Sequence, residues 1–330
     1  MTHAAITGIG TYLPERVLTN DDLSRMVETN DEWIVSRTGI RERRLAGPGE
    51  STSTMAAAAG ARAIDDAGLT TADIDFLVVG TGSPDHVMPS TAAITQDLLG
   101  LHCGAVDVMA ACTSFITALQ HGTSLIEAGR AERVLVIGAD ALTRHIDFTD
   151  RRTCILFGDG AGAIVLEASE EAGVLGIDLG ADGSGAGVLA IPAGGSAAPC
   201  TPELVEAGEH YLKMSGGEVF KFAVRIIPET TRRALELSGL SVDDLTWLVP
   251  HQANQRILDA VAPRLGIDPA RVFSNLELLG NTSAASIPLA LHDLYTGHHL
   301  HRGDLLGLVG FGAGLTWGAA VVRWTKGPTE

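Results

Sequence analysis

Short runs of consecutive apolar residues alternate along the chain with longer segments whose apolar residues recur at helical spacing. The apolar runs, which predict strands buried on both faces, are "DFLVVGTG" (75–82), "RVLVIGAD" (133–140), "AGAIVLEA" (161–168), "TWLVPHQ" (246–252) and "LLGLVGFG" (305–312). The predicted helices span 54–67, 91–99, 113–128, 219–238 and 254–264. This alternation indicates an α/β protein. Residues 184–210 show neither period and are rich in Gly, Ala and Pro, which predicts a long loop or lid.

The pattern of the first half recurs in the second half. "RAIDDAGLTTADIDFLVV" at 62–79 matches "RALELSGLSVDDLTWLVP" at 233–250 in step, and "FGDGAGAIVL" at 157–166 resembles "FGAGLTWGAA" at 311–320. A repeat of half the chain length is too long for a solenoid and predicts two similar halves facing each other. We expect an N-terminal half at 1–170, a C-terminal half at 171–330, and a site that draws residues from both.

Composition and charge narrow the class of protein. The net charge of −17 argues against a general nucleic-acid binder, because phosphate binding needs an excess of Lys and Arg. The four cysteines have no CxxC spacing, so they predict neither a disulfide framework nor a zinc site, and they suit a reducing cytoplasm. Residues 305–322 are uncharged but contain five Gly, which favours two strands joined by a turn over a membrane helix. We expect no signal peptide, because the first residues lack a basic and apolar leader.

Three polar residues at junctions of predicted elements could carry chemistry. Cys112, in "VMAACTSFITAL", ends an apolar run where a helix starts. A thiol there is either a buried small side chain or a nucleophile whose pKa the helix N-terminus lowers. His251, in "PHQANQRI", follows a predicted strand, and Asn281, in "GNTSAASIP", precedes a helix; each alone could be structural. Together they form a cysteine-nucleophile constellation with neutral hydrogen-bond donors.

The chain resembles the β-ketoacyl-[acyl-carrier-protein] synthase III family of the thiolase superfamily over essentially its full length. The motifs that carry the resemblance are "TNDEWIVSRTGIRERR" (29–44), "AAC" (110–112), "LFGDGAGA" (156–163), "EVFKFAVR" (218–225), "PHQANQRI" (250–257), "GNTSAASIPLAL" (280–291) and "FGAGLTWGA" (311–319). The resemblance implies a duplicated, thiolase-like fold of five layers, α-β-α-β-α, and a cytoplasmic homodimer. It also implies condensation of an acyl-CoA primer with malonyl carrier protein, releasing CoA and carbon dioxide, without a metal or redox cofactor.

The resemblance also assigns roles to residues. Cys112 would accept the acyl group, and His251 and Asn281 would hold the malonyl thioester carbonyl and stabilise the enolate formed on decarboxylation. The oxyanion hole would consist of the Cys112 and Gly314 backbone N–H groups. The CoA site would contain Thr29, Trp33, Arg37, Arg151 and Asn254. The carrier-protein surface would contain Lys221, Gln252, Ala253, Asn254, Gln255 and Arg256. The acyl pocket would be bounded by Phe157, Leu189, Leu212 and Phe220, with Met88 reaching the partner subunit's pocket.

One departure from the family pattern concerns the primer. The family usually has a small residue and then Gly after the nucleophile, whereas this chain has Thr113 and Ser114. Ser114 is expected to narrow the pocket or add a hydrogen bond, which predicts short acyl primers. A secondary-metabolism acyltransferase with another acceptor stays open. A degradative thiolase is disfavoured because 310–314 lacks a second cysteine, and a non-catalytic subunit is disfavoured by the intact Cys, His and Asn.

Overall fold

Two buried β-sheets form the frame of the structure, which is a computed structural model and describes residues 2–327. The strands are β1 (His3–Tyr12), β2 (Arg16–Thr19), β3 (Glu42–Leu45), β4 (Phe76–Gly80), β5 (Gly104–Val108), β6 (Arg133–Asp140), β7 (Gly160–Ser169), β8 (Val174–Ala181), β9 (Leu189–Ala190), β10 (Lys213–Met214), β11 (Trp247–Pro250), β12 (Leu305–Gly312) and β13 (Thr316–Arg323). The first sheet has the order β1-β7-β6-β4-β5 and the second has the order β11-β12-β13-β8. Each of the predicted apolar runs coincides with or overlaps one of the strands β4, β6, β7, β11 and β12.

Helices cover both faces of both sheets, which explains why the strands are continuously apolar. The helices are α1 (Asn20–Ser24), α2 (Asp31–Thr38), α3 (Thr52–Asp66), α4 (Thr91–Leu99), α5 (Ser114–Glu127), α6 (Pro202–Glu206), α7 (Gly216–Ser238), α8 (Gln255–Leu265), α9 (Leu276–Leu279) and α10 (Ser286–Thr296). α3 packs on β1, β6 and β7, while α7 packs on β8, β12 and β13. α5 and α10 lie between the two sheets and contact both. The order is therefore α-β-α-β-α, the predicted five layers.

The two sheets correspond strand by strand. β4 and β6 in the first sheet pair in parallel, as do β11 and β12 in the second. β6 then pairs antiparallel with β7, as β12 does with β13. β6 begins at residue 133 and its counterpart β12 begins at residue 305. α5 begins at residue 114 and its counterpart α10 begins at residue 286, with the same spacing. The residues that end β6 and β12 are thus equivalent, and so are the turns before α5 and α10.

The core between the sheets contains apolar side chains from both halves of the chain, including Phe115 of α5, Leu291 of α10, Val136 of β6 and Leu308 of β12. Close backbone contacts fix the halves against each other. A Cβ on Gly138 in β6 would lie 2.3 Å from the Ala284 carbonyl oxygen, so a larger residue would push the α10 turn away. Division of the chain at residue 170 stays a prediction, although the chain passes from one sheet to the other between β7 and β8.

The long uncharged segment at 305–322 forms the antiparallel pair β12 and β13, as predicted. None of the helices within residues 2–327 is both long and apolar enough to cross a bilayer. The predicted lid at 184–210 is more ordered than expected: it contains β9 and α6, and β9 pairs with β10 just beyond it. Leu189 of this segment and Met214 of β10 pack against the apolar cluster that contains Phe157.

Candidate active site

Cys112 lies in a strained turn between β5 and α5. The residue before it, Ala111, has a φ of +48°, in the left-handed region that costs a side-chain-bearing residue energy. Ser114 stabilises the turn, because its Oγ accepts a hydrogen bond of 2.8 Å from the Ala110 N–H. The turn buries Cys112 to 6% exposure in the wall of a cavity.

The environment of Cys112 keeps its thiol protonated. Burial raises the pKa of Cys112 to about 12; a 3.4 Å hydrogen bond from Ser283 Oγ to the sulfur opposes this shift, and the negative charge of Asp140 adds to it. The expectation that the helix start lowers this pKa is therefore wrong for the unliganded protein. α5 begins at Ser114, two residues beyond the cysteine, and desolvation outweighs the field of the helix.

His251 follows β11 and is 1% exposed. Its Nδ1 lies 2.6 Å from Ser286 Oγ, at the first residue of α10. The ring packs edge-on against Phe311, with 5.5 Å between centroids. Burial lowers the pKa of His251 to about 3, so the imidazole is neutral at physiological pH. A neutral imidazole carries one proton and can donate one hydrogen bond.

Asn281 precedes the turn that leads into α10 and is 6% exposed. Its side-chain Oδ1 accepts a 2.8 Å hydrogen bond from the Ser283 N–H. Its backbone bridges to the Phe157 segment, donating to the Leu156 carbonyl at 2.8 Å and accepting from the Gly158 N–H at 2.9 Å. Because the oxygen of the amide is already bonded, its NH₂ group is the part left to donate to another molecule.

One cavity of about 540 Å³ brings these three residues together. Its walls include Cys112, His251, Asn281, Leu156, Phe157, Leu189, Met214, Phe220, Lys221, Ala253, Asn254, Arg256, Phe311 and Gly312. The predicted pocket residues Phe157, Leu189 and Phe220 are thus on the wall. Leu212 does not line this cavity; it lies behind it, in the cluster that contains Phe157. Met88 is 84% exposed, away from the cavity of its own chain.

Of the two effects expected of Ser114, the structure shows the added hydrogen bond and not a narrower cavity. Ser114 is fully buried and its hydroxyl is used within the turn. Thr113 is also buried, and its Oγ1 lies 2.5 Å from the Ala110 carbonyl oxygen and 2.7 Å from Thr316 Oγ1. Both departures from the family pattern therefore brace the nucleophile turn from behind.

The glycine-rich turn between β12 and β13 approaches the cysteine backbone closely. A Cβ on Gly312 would lie 2.8 Å from the Cys112 nitrogen and 3.2 Å from the Ala111 Cβ. Because Gly312 has no side chain, there is space beside the Cys112 N–H. The Cβ of any other residue at this position would fill that space. Gly314, the predicted second oxyanion donor, has a φ of +71° within the same turn and is not on the cavity wall. Its role stays a prediction.

The equivalent place in the first half is occupied by Asp140. Asp140 ends β6 as Gly312 ends β12, and Ala284 corresponds to Cys112. Asp140 Oδ2 accepts a 2.9 Å hydrogen bond from the Ala284 N–H. Its Oδ1 accepts three more from Thr81, Gly82 and Ser83. The Ala284 N–H, which is equivalent to the Cys112 N–H, is thus hydrogen-bonded to a carboxylate oxygen of the chain itself.

The predicted CoA residues meet at one surface patch. The Arg37 and Arg151 guanidinium groups lie 5.2 Å and 5.0 Å from the Trp33 ring centroid, within the range of a cation–π contact. Asn254 Nδ2 donates to the Arg37 carbonyl at 3.1 Å. Thr29 Oγ1 is buried, and no residue in the described range 2–327 accepts or donates a hydrogen bond to it.

The predicted carrier-protein surface is only partly exposed. Lys221 and Arg256 are exposed, and Arg256 lies 6.0 Å from the Phe220 ring. Gln252 is 1% exposed: its amide donates to the Pro250 carbonyl and accepts from the Asn275 N–H. Gln252 supports the turn after β11, and Ala253 is buried in the cavity wall, so neither side chain is placed to contact a protein docked outside, which corrects both assignments.

Sequence reasoning missed Ser283, Ser286, Asp140 and Phe311. Ser283 and Ser286 lie within the quoted motif "GNTSAASIP", and Phe311 begins the quoted "FGAGLTWGA". Aligning the two halves would have singled out Ser286, since it is the equivalent of Ser114. Asp140 ends a predicted strand, where an acidic residue beside a buried site is a signal in itself.

Comparisons with known proteins agree with this fold and site. The family models "3-Oxoacyl-[acyl-carrier-protein (ACP)] synthase III" and its C-terminal counterpart match residues 106–183 and 235–324. A β-ketoacyl-[acyl-carrier-protein] synthase III from Roseiflexus castenholzii is 51% identical over 98% of this chain and 99% of its own.

Solved structures are also similar over nearly the whole chain. The synthase III from Aquifex aeolicus is 42% identical with a TM-score of 0.88, covering 98% of this chain and 100% of its own. The priming β-ketosynthase of the R1128 polyketide pathway is 36% identical with a TM-score of 0.91, covering 99% and 97%. The chain therefore belongs to the β-ketoacyl-[acyl-carrier-protein] synthase III family, whose enzymes are acyltransferases of thiolase-like fold.

Proposed function

We propose that the chain catalyses the decarboxylative condensation of a short acyl-CoA, with acetyl-CoA as the expected primer, and malonyl carrier protein. The products are 3-oxoacyl carrier protein, CoA and carbon dioxide. The observation that carries the proposal is the meeting of Cys112, His251 and Asn281 in one cavity, on a chain 51% identical to a named synthase III.

In the first half-reaction, Cys112 Sγ attacks the thioester carbonyl of acyl-CoA. The thiol proton leaves with CoA, and the acyl group stays on sulfur as a thioester. The developing oxyanion is positioned beside the Cys112 N–H, in the space that Gly312 leaves, with the Gly314 N–H as the second donor. Preorganised N–H donors of this kind are worth about 3 kcal/mol each. The attacking sulfur must be a thiolate, so the thiol proton leaves Cys112 as the step begins and is taken up by the departing CoA sulfur.

In the second half-reaction, malonyl carrier protein loses carbon dioxide and its thioester becomes an enolate. His251 and the Asn281 amide donate hydrogen bonds to the enolate oxygen. The carbanion then attacks the acyl carbonyl on Cys112, forms the new carbon–carbon bond and expels the cysteine sulfur, which takes up a proton. Two neutral donors stabilise negative charge without giving up a proton, so the enolate keeps its nucleophilicity.

The substrates would reach the cavity from the patch around Trp33. The adenine of CoA would stack between Trp33 and the Arg37 guanidinium, with Arg151, Thr29 and Asn254 beside it. The carrier protein would dock on Lys221, Asn254, Gln255 and Arg256, with the buried Gln252 and Ala253 beneath them. The chemistry needs neither metal nor redox cofactor, since N–H donors polarise both carbonyls.

We also infer a homodimer formed at the β5 edge. β5 is the last strand of its sheet, and an unpaired edge strand invites pairing with another chain. Apolar side chains are exposed around this edge, among them Val87 at 92%, Met88 at 84% and Met109 at 67%. Burying this edge would bring Met88 to the partner's acyl pocket. The cytoplasm is the proposed compartment, where the four free thiols would stay reduced.

A secondary-metabolism acyltransferase is the second candidate, since the chain is also similar to a polyketide priming ketosynthase. The test is an assay of the purified protein with acyl-CoAs of increasing length, with malonyl carrier protein and with alternative acceptors, recording product masses. A 3-oxoacyl carrier protein from a primer of up to about five carbons supports the proposal. Transfer only to another acceptor, or best activity with decanoyl-CoA, contradicts it.

A further inference from the structure

A buried hydrogen bond links His251 to a residue that the two half-reactions leave without a role. Ser286 Oγ lies 2.6 Å from His251 Nδ1, and both residues are 1% exposed. Ser286 is the first residue of α10, so its position is set by the helix that runs between the two sheets. This bond occupies one ring nitrogen and leaves Nε2 as the nitrogen available to the cavity that His251 lines.

The internal repeat indicates that this serine has a specialised partner. Its equivalent in the first half is Ser114, the first residue of α5, whose hydroxyl accepts from the Ala110 N–H in its own turn. The partner of Ser286 is instead a side chain 35 positions away on the other side of the site. The position equivalent to His251 is Gly80, where an added Cβ would lie 2.6 Å from the Ser114 backbone. In the first half, Gly80 packs against the Ser114 backbone. In the second half, the equivalent residues His251 and Ser286 are joined by a side-chain hydrogen bond.

The donor in the Ser286–His251 hydrogen bond can be identified by counting the protons and acceptors of the two side chains. A neutral imidazole has its single proton on Nδ1 or on Nε2. If Nδ1 carried it, Nδ1–H would donate to Ser286, and the serine proton would need a second acceptor. Within residues 2–327 the hydrogen bonds of Ser286 Oγ include no such acceptor, and a buried hydroxyl without one is costly. If Ser286 donates instead, both groups are satisfied and the imidazole proton is on Nε2.

We propose that Ser286 is a positioning residue for the condensation step: its hydroxyl donates to His251 Nδ1 and holds the imidazole in the tautomer with its proton on Nε2. The kinetic part of this proposal rests on the proposed function, in which His251 donates to the enolate oxygen. Phe311 restrains the ring from its edge, so the serine sets which nitrogen is protonated and the phenyl ring limits its tilt. The burial that keeps His251 neutral preserves this single-donor state.

This arrangement makes His251 a donor and leaves it no lone pair for the Cys112 proton. Loss of the Ser286 hydroxyl should therefore slow decarboxylation much more than self-acylation. Ser114→Ala is the matched variant, because it removes the equivalent hydroxyl from the nucleophile turn and should slow self-acylation more. Ser238→Ala is the neutral control, since its hydroxyl bonds only to carbonyls of its own helix α7.

The first experiment measures the tautomer directly and needs no turnover. In protein with ¹⁵N-labelled histidine, the His251 signals are identified by their loss in His251→Gln. We expect Nε2 to show the shift of a protonated nitrogen and Nδ1 that of a bare nitrogen accepting a hydrogen bond. In Ser286→Ala the two shifts should move towards each other as the tautomers mix. A proton on Nδ1 in the wild-type protein overturns the proposal.

The second experiment separates the half-reactions. For Ser286→Ala we expect the kcat of malonyl decarboxylation to fall about 10- to 100-fold, less than for outright deletion of a donor, with KM and self-acylation within about threefold. Ser286→Thr, which keeps the hydroxyl, should recover most of the rate, and it serves if the alanine variant folds poorly. Unchanged decarboxylation, or equal loss of both half-reactions in folded protein, contradicts the proposal. A wild-type protein that neither self-acylates nor decarboxylates refutes the proposed function, while the tautomer measurement still decides the role of Ser286.

Discussion

Thr113 Oγ1 and Thr316 Oγ1 lie 2.7 Å apart and join two turns that are 203 positions apart in the chain. Thr113 belongs to the nucleophile turn and Thr316 begins β13, directly after the glycine-rich turn. Both hydroxyls also lie within hydrogen-bond distance of the Ala110 carbonyl oxygen, at 2.5 Å and 3.0 Å. The link therefore sets the distance between the two backbone segments proposed to form the oxyanion hole.

Replacing Thr316 by Val keeps the side-chain shape and removes the link. We expect single-turnover self-acylation to slow about tenfold, since misplaced donors lose much of their stabilising effect. The double variant Thr113→Val/Thr316→Val should be no slower than the worse single variant, because both remove the same contact. Thr123→Val in α5 is the control: its hydroxyl is buried without a partner in the described structure, so its loss should leave acylation unchanged. Additive effects of the two substitutions would refute the link.

Cys112 should be the acylated residue and yet a slow target for alkylation. After incubation with acetyl-CoA, mass spectrometry should find one acyl adduct on the wild-type protein and none on Cys112→Ala. Because burial raises the pKa of Cys112 to about 12, its iodoacetamide reaction should quicken roughly tenfold per pH unit from pH 7 to 10. Exposed Cys200 should react first at pH 8. An acyl adduct on Cys103, Cys154 or Cys200 would overturn the assignment of the nucleophile.

Asn281→Ala should separate the two half-reactions. The variant loses the amide that faces the enolate oxygen, so malonyl decarboxylation should fall about 100- to 1,000-fold. Self-acylation should persist, because Asn281 takes no part in thioester exchange on Cys112. The measurement compares acyl-enzyme formation by mass spectrometry with release of labelled carbon dioxide from malonyl carrier protein. Equal loss of both steps would indicate that Asn281 only supports the Ser283 turn.

Arg256→Glu should weaken use of the carrier protein. A carrier protein is acidic and this chain has a net charge of −17, so docking depends on a local basic patch. We expect kcat/KM for malonyl carrier protein to fall more than the rate of self-acylation. The wild-type value should also fall as salt rises, because exposed charges are screened over ~10 Å at 0.1 M ionic strength.

Arg130→Glu makes the same change in net charge at the exposed turn after α5 and is the matched control. If both arginine variants behave alike, or if salt leaves the carrier-dependent step unchanged, the docking patch lies elsewhere.

His251 should also make the protein sensitive to acid. Burial lowers the pKa of His251 to about 3, whereas the unfolded chain binds that proton below its ordinary value of 6.5. The unfolded state thus binds more protons below pH 6.5, and the free energy of unfolding falls as pH drops, by about 2 kcal/mol at pH 5. Between pH 7 and 5, the Tm of His251→Gln should fall less than that of the wild-type protein. The Tm of His121→Gln, a change at an exposed histidine, should fall as much as that of the wild-type protein. Identical slopes for all three proteins would contradict the neutral, buried imidazole.

The sequence was sufficient for the architecture because its patterns are local. Strands such as β6 are continuous apolar runs, and the repeat shows which strands correspond. The same local patterns predict that three residues lie at the ends of strands or helices: Cys112, His251 and Asn281. The sequence could not show which atoms face each other. Whether Ser114 lines the cavity or bonds to the backbone depends on the conformation of the turn, in which its Oγ accepts from the Ala110 N–H.

The pKa of Cys112 and the burial of Gln252 could not be predicted from the sequence for a related reason. A helix start beside a cysteine predicts a low thiol pKa, but burial raises the pKa of Cys112. How deeply the thiol is buried depends on how the other half, including Gly312, packs against it. Gln252 was likewise assigned to a surface because its neighbours Asn254 and Arg256 are polar. The turn after β11 folds it inward, where three backbone groups satisfy its amide.

The equivalence of Asp140 and Gly312 makes the two halves of the fold unequal. Each half has a comparable helix start, preceded by Ala284 in one half and by Cys112 in the other. The Ala284 N–H is bonded to a carboxylate oxygen of the same chain, whereas beside the Cys112 N–H a glycine leaves the corresponding space open. Asp140 is therefore an internal reference for the proposed oxyanion site: its Oδ2 marks, beside Ala284, the position that an anionic oxygen would take beside Cys112. Designs for inhibitors could copy that internal geometry.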